Sequence, residues 1–127
     1  EQALPAPRQT AGQDAPGQTG AGQIQTLLRQ ANAALEDYRL TVPEEYNAYD
    51  LFQQVLRLDP DNEAARAGMD EIVVRYTWLA RSALERGEFR RVEQYTERGM
   101  RLDPDNEELR AIRRLLTIER ERYGLRP

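Results

Sequence analysis

Apolar residues recur along this chain at helical rather than extended spacing. Ile24, Leu27, Leu28, Ala31, Ala34 and Leu35 fall at i, i+3, i+4 and i+7 intervals on one face, which predicts a helix over 23–38. Leu40–Tyr46 interrupts the pattern, because Pro43 lacks an amide hydrogen and restrains Val42 before it. Ala48, Leu51, Phe52, Val55 and Leu56 resume it as a second helix. Ala65, Met69, Ile72 and Val73 lie on one side of a third stretch, which continues through Tyr76, Leu79, Ala80 and Ala83. It predicts one overlong helix, 63–86, in which Gly68 costs about 1 kcal/mol relative to alanine. Leu109, Ile112 and Leu116 give a final stripe over 107–122, acidic at its start and Arg-rich after it. No stretch alternates apolar and polar for long enough to be a strand, so the expected fold is all-α, with about five helices.

Residues 1–22 stand apart from this pattern. They are Gln, Ala, Gly, Pro and Thr, with Leu4 and the charges of Glu1, Arg8 and Asp14. They cannot bury enough apolar surface to offset chain entropy and read as a disordered linker, leaving 23–127 as the helical domain. As a tether, that much flexible chain has a root-mean-square span of roughly 25 Å and reaches about 70 Å when taut.

An internal repeat organises the remainder. Arg57-Leu-Asp-Pro-Asp-Asn-Glu63 recurs unchanged as Arg101–Glu107, an offset of 44. In each copy the Pro stops one helix and the Asn (Asn62 or Asn106) is placed to cap the next, with acidic residues at that helix's positive end. A calcium loop from Asp59, Asp61 and Glu63 fails, since its sixth position is Ala64 where Gly is needed and no bidentate Glu stands at position twelve. No metal and no cofactor is expected.

Composition narrows the chemistry. The 127 residues include no Cys and no His, and all 18 cationic side chains are Arg. Thiol nucleophiles, disulfides, imidazole bases, H-E-x-x-H zinc helices, Schiff bases and P-loop lysines are therefore excluded. Ser82, the tyrosines and the carboxylates are what remain for acid–base work. A net charge of −4 with a pI near 5.0 and interspersed signs argues against nucleic acid as a partner. Mean hydropathy is −0.81 and the longest aliphatic run is Ile72-Val73-Val74, too short to span a bilayer. The start at Glu1, without Met, reads as a processed or truncated product.

The window Val73–Asn106 resembles one tetratricopeptide repeat, in length as well as pattern. Tyr76 stands at the consensus aromatic, Leu79 and Ala80 at the Leu-Gly/Ala pair, and Ala83 at the Tyr position. Gly87 marks the turn, Val92 and Gly99 take the small inter-helix positions, and Pro104 closes the repeat. Thr96 departs from the usual Phe or Tyr, and Tyr95 is placed to fill that space. An earlier, more degenerate copy matches Ala31, Ala34, Leu35 and Leu40 to Ala80, Ala83, Leu84 and Phe89, with about five extra residues around Pro43. HEAT-type repeats share a period above 40, but the Leu-Asp-Pro-Asp-Asn closure favours the tetratricopeptide class. The resemblance implies two TPR-like helix-turn-helix repeats plus a capping helix, 107–122.

It also implies a concave partner-binding face. In the second repeat that face is Val74, Thr77, Trp78, Arg81, Leu84 and Glu85. In the first it is Gln25, Leu28, Asn32 and Glu36, with Gln30 and Leu35 beside them. Trp78 is the only Trp and lies off the core stripe; an exposed Trp beside an Arg has the composition of a binding hot spot. The alternative is that Trp78 packs as ordinary core. The layout of linker plus short repeat domain is similar to the LpoP-type outer-membrane lipoproteins, whose lipidated Cys has no counterpart here. That resemblance implies a monomeric, periplasmic, non-catalytic activator, reaching a class A penicillin-binding protein through the linker and touching the membrane only through a lipid anchor. Two other readings stay open: a scaffold for another envelope assembly such as a pilus or secretion machine, and a carboxylate-based cell-wall hydrolase. For the last, Glu44-Glu45 is the nearest pair, but nothing in the sequence raises one carboxyl over the other. Glu71/Arg75 and Glu97/Arg101 are i,i+4 ion pairs in the favourable order, and Arg90-Arg91 and Arg113-Arg114 read as solvated helix faces.

Overall fold

The computed structural model describes residues 20–124. They form five helices: α1 (Gly20–Glu36), α2 (Ala48–Leu58), α3 (Glu63–Glu85), α4 (Phe89–Leu102) and α5 (Glu107–Arg122). No strand occurs among the described residues, and the fold is all-α. None of these helices is long and apolar enough to cross a membrane. The linker expected over 1–22 lies outside the described residues up to residue 19. Its last three residues are a correction: Gly20, Ala21 and Gly22 belong to the first turn of α1. The apolar stripe starts only at Ile24, and a helix's first turn needs no buried side chain. At the other end α1 stops at Glu36, because Tyr38 is left-handed at φ 57° and cannot continue it.

The chain divides into two compact units, the first ending at Met69 and the second beginning at Asp70, inside the continuous α3. In the first unit, α1 and α2 bury Ala31, Ala34, Leu35, Leu40, Ala48, Phe52 and Val55, with Ala65 from the start of α3. Gly68 is not merely tolerated there. A Cβ at this position would stand 2.2 Å from Cζ of Phe52, so the glycine is what allows the ring to lie against α3. The eleven residues 37–47 that join α1 to α2 are held by Asn47, which is buried. Its Oδ1 accepts the amide of Asp50 at 2.8 Å, capping α2. Its Nδ2 donates to the Pro43 carbonyl at 2.8 Å and to Asp50 Oδ2 at 2.9 Å. The same Asp50 oxygen accepts from the amide of Glu45, a second left-handed residue at φ 71°.

In the second unit, Ala80, Ala83, Val92, Ile112 and Leu116 form one cluster from α3, α4 and α5, with Leu84, Phe89 and Tyr95 packed against it. Gly99 admits Leu109: an added Cβ would meet Leu109 Cδ1 at 2.7 Å and Tyr76 Cβ at 3.3 Å. Thr96 is fully buried, its hydroxyl donating to the carbonyls of Val92 at 2.8 Å and Glu93 at 3.1 Å. The Tyr95 ring lies 6.4 Å from that of Tyr76, beside the place where the pattern calls for a larger residue.

The repeated Leu-Asp-Pro-Asp-Asn segments are chemically equivalent. Asn62 Oδ1 accepts from the Ala65 amide and Asn106 Oδ1 from the Leu109 amide, both at 2.9 Å. Each Asn Nδ2 donates to the preceding Asp (Asp59 or Asp103) at 3.2 Å. The expected i,i+4 ion pairs form as well, Arg75–Glu71 at 3.0 Å and Arg101–Glu97 at 3.2 Å.

Candidate protein-binding surface

Spacing of four, three and four residues puts Val74, Trp78, Arg81 and Glu85 on one side of α3, and all four are exposed. Val74 is 57 % and Trp78 53 % exposed, so the indole is not core. The separation follows from the core stripe: Tyr76, Ala80 and Ala83 bury the opposite side of the helix. Thr77 is a correction. It is only 6 % exposed and its hydroxyl donates to the Val73 carbonyl at 2.9 Å, which satisfies it inside. Leu84 is half-buried, touching the core cluster with part of its side chain.

Two features join this face to α5. Arg81 forms an ion pair with Glu108 of α5, so its charge is already engaged within the fold. Beyond it, a pocket of about 300 Å³ is lined by Leu84, Glu85, Gly87 and Phe89 on one side, and by Leu115, Glu119 and Tyr123 on the other. Leu115 is 47 % exposed and Ile118, one turn further along α5, 55 %. These α5 residues escape a reading that follows only the buried stripe Leu109, Ile112 and Leu116. The signal for them was present: two large aliphatic residues off the buried stripe of a terminal helix, where solvent-facing residues are ordinarily polar.

In the first unit, Gln25, Leu28, Asn32 and Glu36 share one side of α1 at spacings of three, four and four. Gln25, Asn32, Glu36 and the neighbouring Gln30 are exposed and Leu28 is half-buried. Leu35 is buried and drops out of the face. A cleft of about 440 Å³ between α1 and α2 is lined by Gln23, Thr26, Leu27, Gln54, Arg57 and Leu58, none of them among the four. Among the described residues, no group of three or more acidic side chains stands together as metal ligands would. No protein-family model, curated protein or solved structure matches the chain.

Proposed function

We propose that the chain is a non-catalytic interaction module of the tetratricopeptide type that holds a partner protein on the α3–α5 side of its second unit. The observation that carries this reading is the exposure of large apolar side chains on both helices, Val74 and Trp78 on α3 and Leu115 and Ile118 on α5, in a chain that lacks Cys, His and Lys. Buried aromatic anchors at the centre of an interface supply most of its binding energy, and a half-exposed Trp has the surface to act as one. The tetratricopeptide reading is supported by the burial of Ala80, Val92 and Gly99, the small positions of the pattern, and by the left-handed Gly87 at its turn.

On its resemblance to the LpoP-type lipoproteins, the partner is a class A penicillin-binding protein, met at the periplasmic side of the outer membrane through a lipid anchor. Activation then requires that the module bind the active conformation of the synthase more tightly than the inactive one, since only differential affinity shifts that equilibrium. The test adds the purified chain to a purified class A synthase. Glycan polymerisation should rise, and Trp78→Ala should weaken binding by about ten-fold or more while leaving helicity unchanged. Absence of both binding and stimulation sinks the reading; peptidoglycan hydrolysis by the chain alone would replace it with the enzyme.

A further inference from the structure

The charged side chains lining the pocket beyond Arg81 are all acidic, a feature that the interaction-module reading does not itself require. Its apolar lining is Leu84, Phe89, Leu115 and Tyr123, the last two exposed and the Phe89 and Tyr123 rings 6.0 Å apart. Its charged lining is Glu85 and Glu119, with no cationic side chain. Glu119 is partly offset by Arg122 at 3.3 Å, whereas Glu85 has no ion-pair partner among the described residues. Leu84–Gly87 and Glu119–Tyr123 are also the C-terminal ends of α3 and α5, so two negative helix-dipole ends border this space against one positive end, that of α4 at Phe89. The other cations in those last turns are committed elsewhere: Arg86 pairs with Glu88 at 3.3 Å and Arg120 with Glu93 at 3.3 Å.

We propose that this pocket receives a large apolar side chain of a partner protein, flanked within a residue or two by Lys or Arg. The apolar side chain fills the space between Leu84, Phe89, Leu115 and Tyr123. The cation lies at the rim, within reach of Glu85 and Glu119 and of the two helix ends, where charge complementarity favours it over a neutral or acidic neighbour. This rests on the module reading and assigns the partner's chemistry at its surface.

The test pans a random-peptide phage library against the immobilised full chain, then measures the selected peptides in solution. Enriched sequences should place an apolar residue next to Lys or Arg. Their affinity should fall about ten-fold or more in Glu85→Gln and in Leu115→Ser, both at exposed sites, and should weaken with added salt. Enrichment of acidic or uncharged peptides, no enrichment, or binding by either variant as tight as by the unsubstituted chain overturns the proposal. Self-association of the chain that both variants abolish also overturns it, by making a second copy the occupant. A chain that binds the synthase yet selects no basic–apolar peptide loses the pocket and keeps the module reading. A chain that selects such peptides at this pocket but ignores the synthase keeps the pocket and loses the proposed partner.

Discussion

The two helical hairpins end their first helices in the same way and begin their second helices differently. At the end of α1 the Tyr38 amide donates to Leu35 at 3.0 Å and the Arg39 amide to Ala34 at 2.9 Å. At the end of α3 the Gly87 amide donates to Leu84 at 3.1 Å and the Glu88 amide to Ala83 at 2.9 Å. Both are Schellman closures with a left-handed residue at the same place, φ 57° for Tyr38 and 72° for Gly87. After that, α4 starts within three residues at Phe89, its N-cap Glu88 making no side-chain cap bond. By contrast, α2 waits until Ala48, behind a loop organised by one buried Asn. The difference teaches that the stop signal is carried by backbone geometry, which tolerates Tyr in place of Gly at a modest cost. Restarting after a long excursion needs a dedicated side chain, because the loop's inward polar groups must find partners.

Substitutions can break or sharpen this comparison, beginning with the glycines that let helices approach. Gly68→Ala should cost about 3 kcal/mol, since the added methyl meets the tip of the rigid, fully buried Phe52 ring, whereas Gly99→Ala should cost about 1 kcal/mol, because Leu109 can swing its terminal methyl aside. Urea denaturation followed by circular dichroism reads both, and Phe52→Leu should recover part of the loss only in the Gly68 variant. Equal costs would mean that the first hairpin is no more tightly set than the second.

Next come the caps. Asn47→Ala should cost about 2 kcal/mol, from a lost cap together with the lost Nδ2 bonds that tie the Pro43 carbonyl and Asp50 to a buried side chain, against about 1 kcal/mol for Asn106→Ala. If the two match, Asn47 is only a cap and does not organise the loop. The smallest effects test the shared closure. Gly87→Ala should destabilise by about 1 kcal/mol, and Tyr38→Gly should stabilise by about 0.3 kcal/mol after its added chain entropy is subtracted. A destabilised Tyr38→Gly would show that the Tyr side chain contributes more than its backbone costs.

Much of the helical layout was legible because it rests on long-range periodicity: the Ala80–Ala83 stripe, the overlong third helix and the twin Asn caps all follow from spacing. What escaped depends on three-dimensional neighbours. Gly68 reads as a propensity cost until Phe52 is placed against it. Thr77 looks like a surface residue until its hydroxyl is seen to bond one turn back, and Asn47 was hidden behind the more conspicuous Pro43. For the candidate surface, Trp78 was recoverable because it is large, single and off the stripe. Leu115 and Ile118 lie outside the α5 stripe that periodicity picks out, because that stripe marks the residues the core needs and not those it leaves over.

The single exposed indole gives the chain a built-in optical probe. All intrinsic tryptophan emission comes from one ring in the middle of the α3 surface, so it reports that surface and no other. A ligand covering it should move the emission to the blue and shield it from aqueous quenchers. One that docks on a surface away from Trp78 should leave the spectrum where it was. Unlabelled protein can therefore locate its own contact face during the same titration that measures affinity.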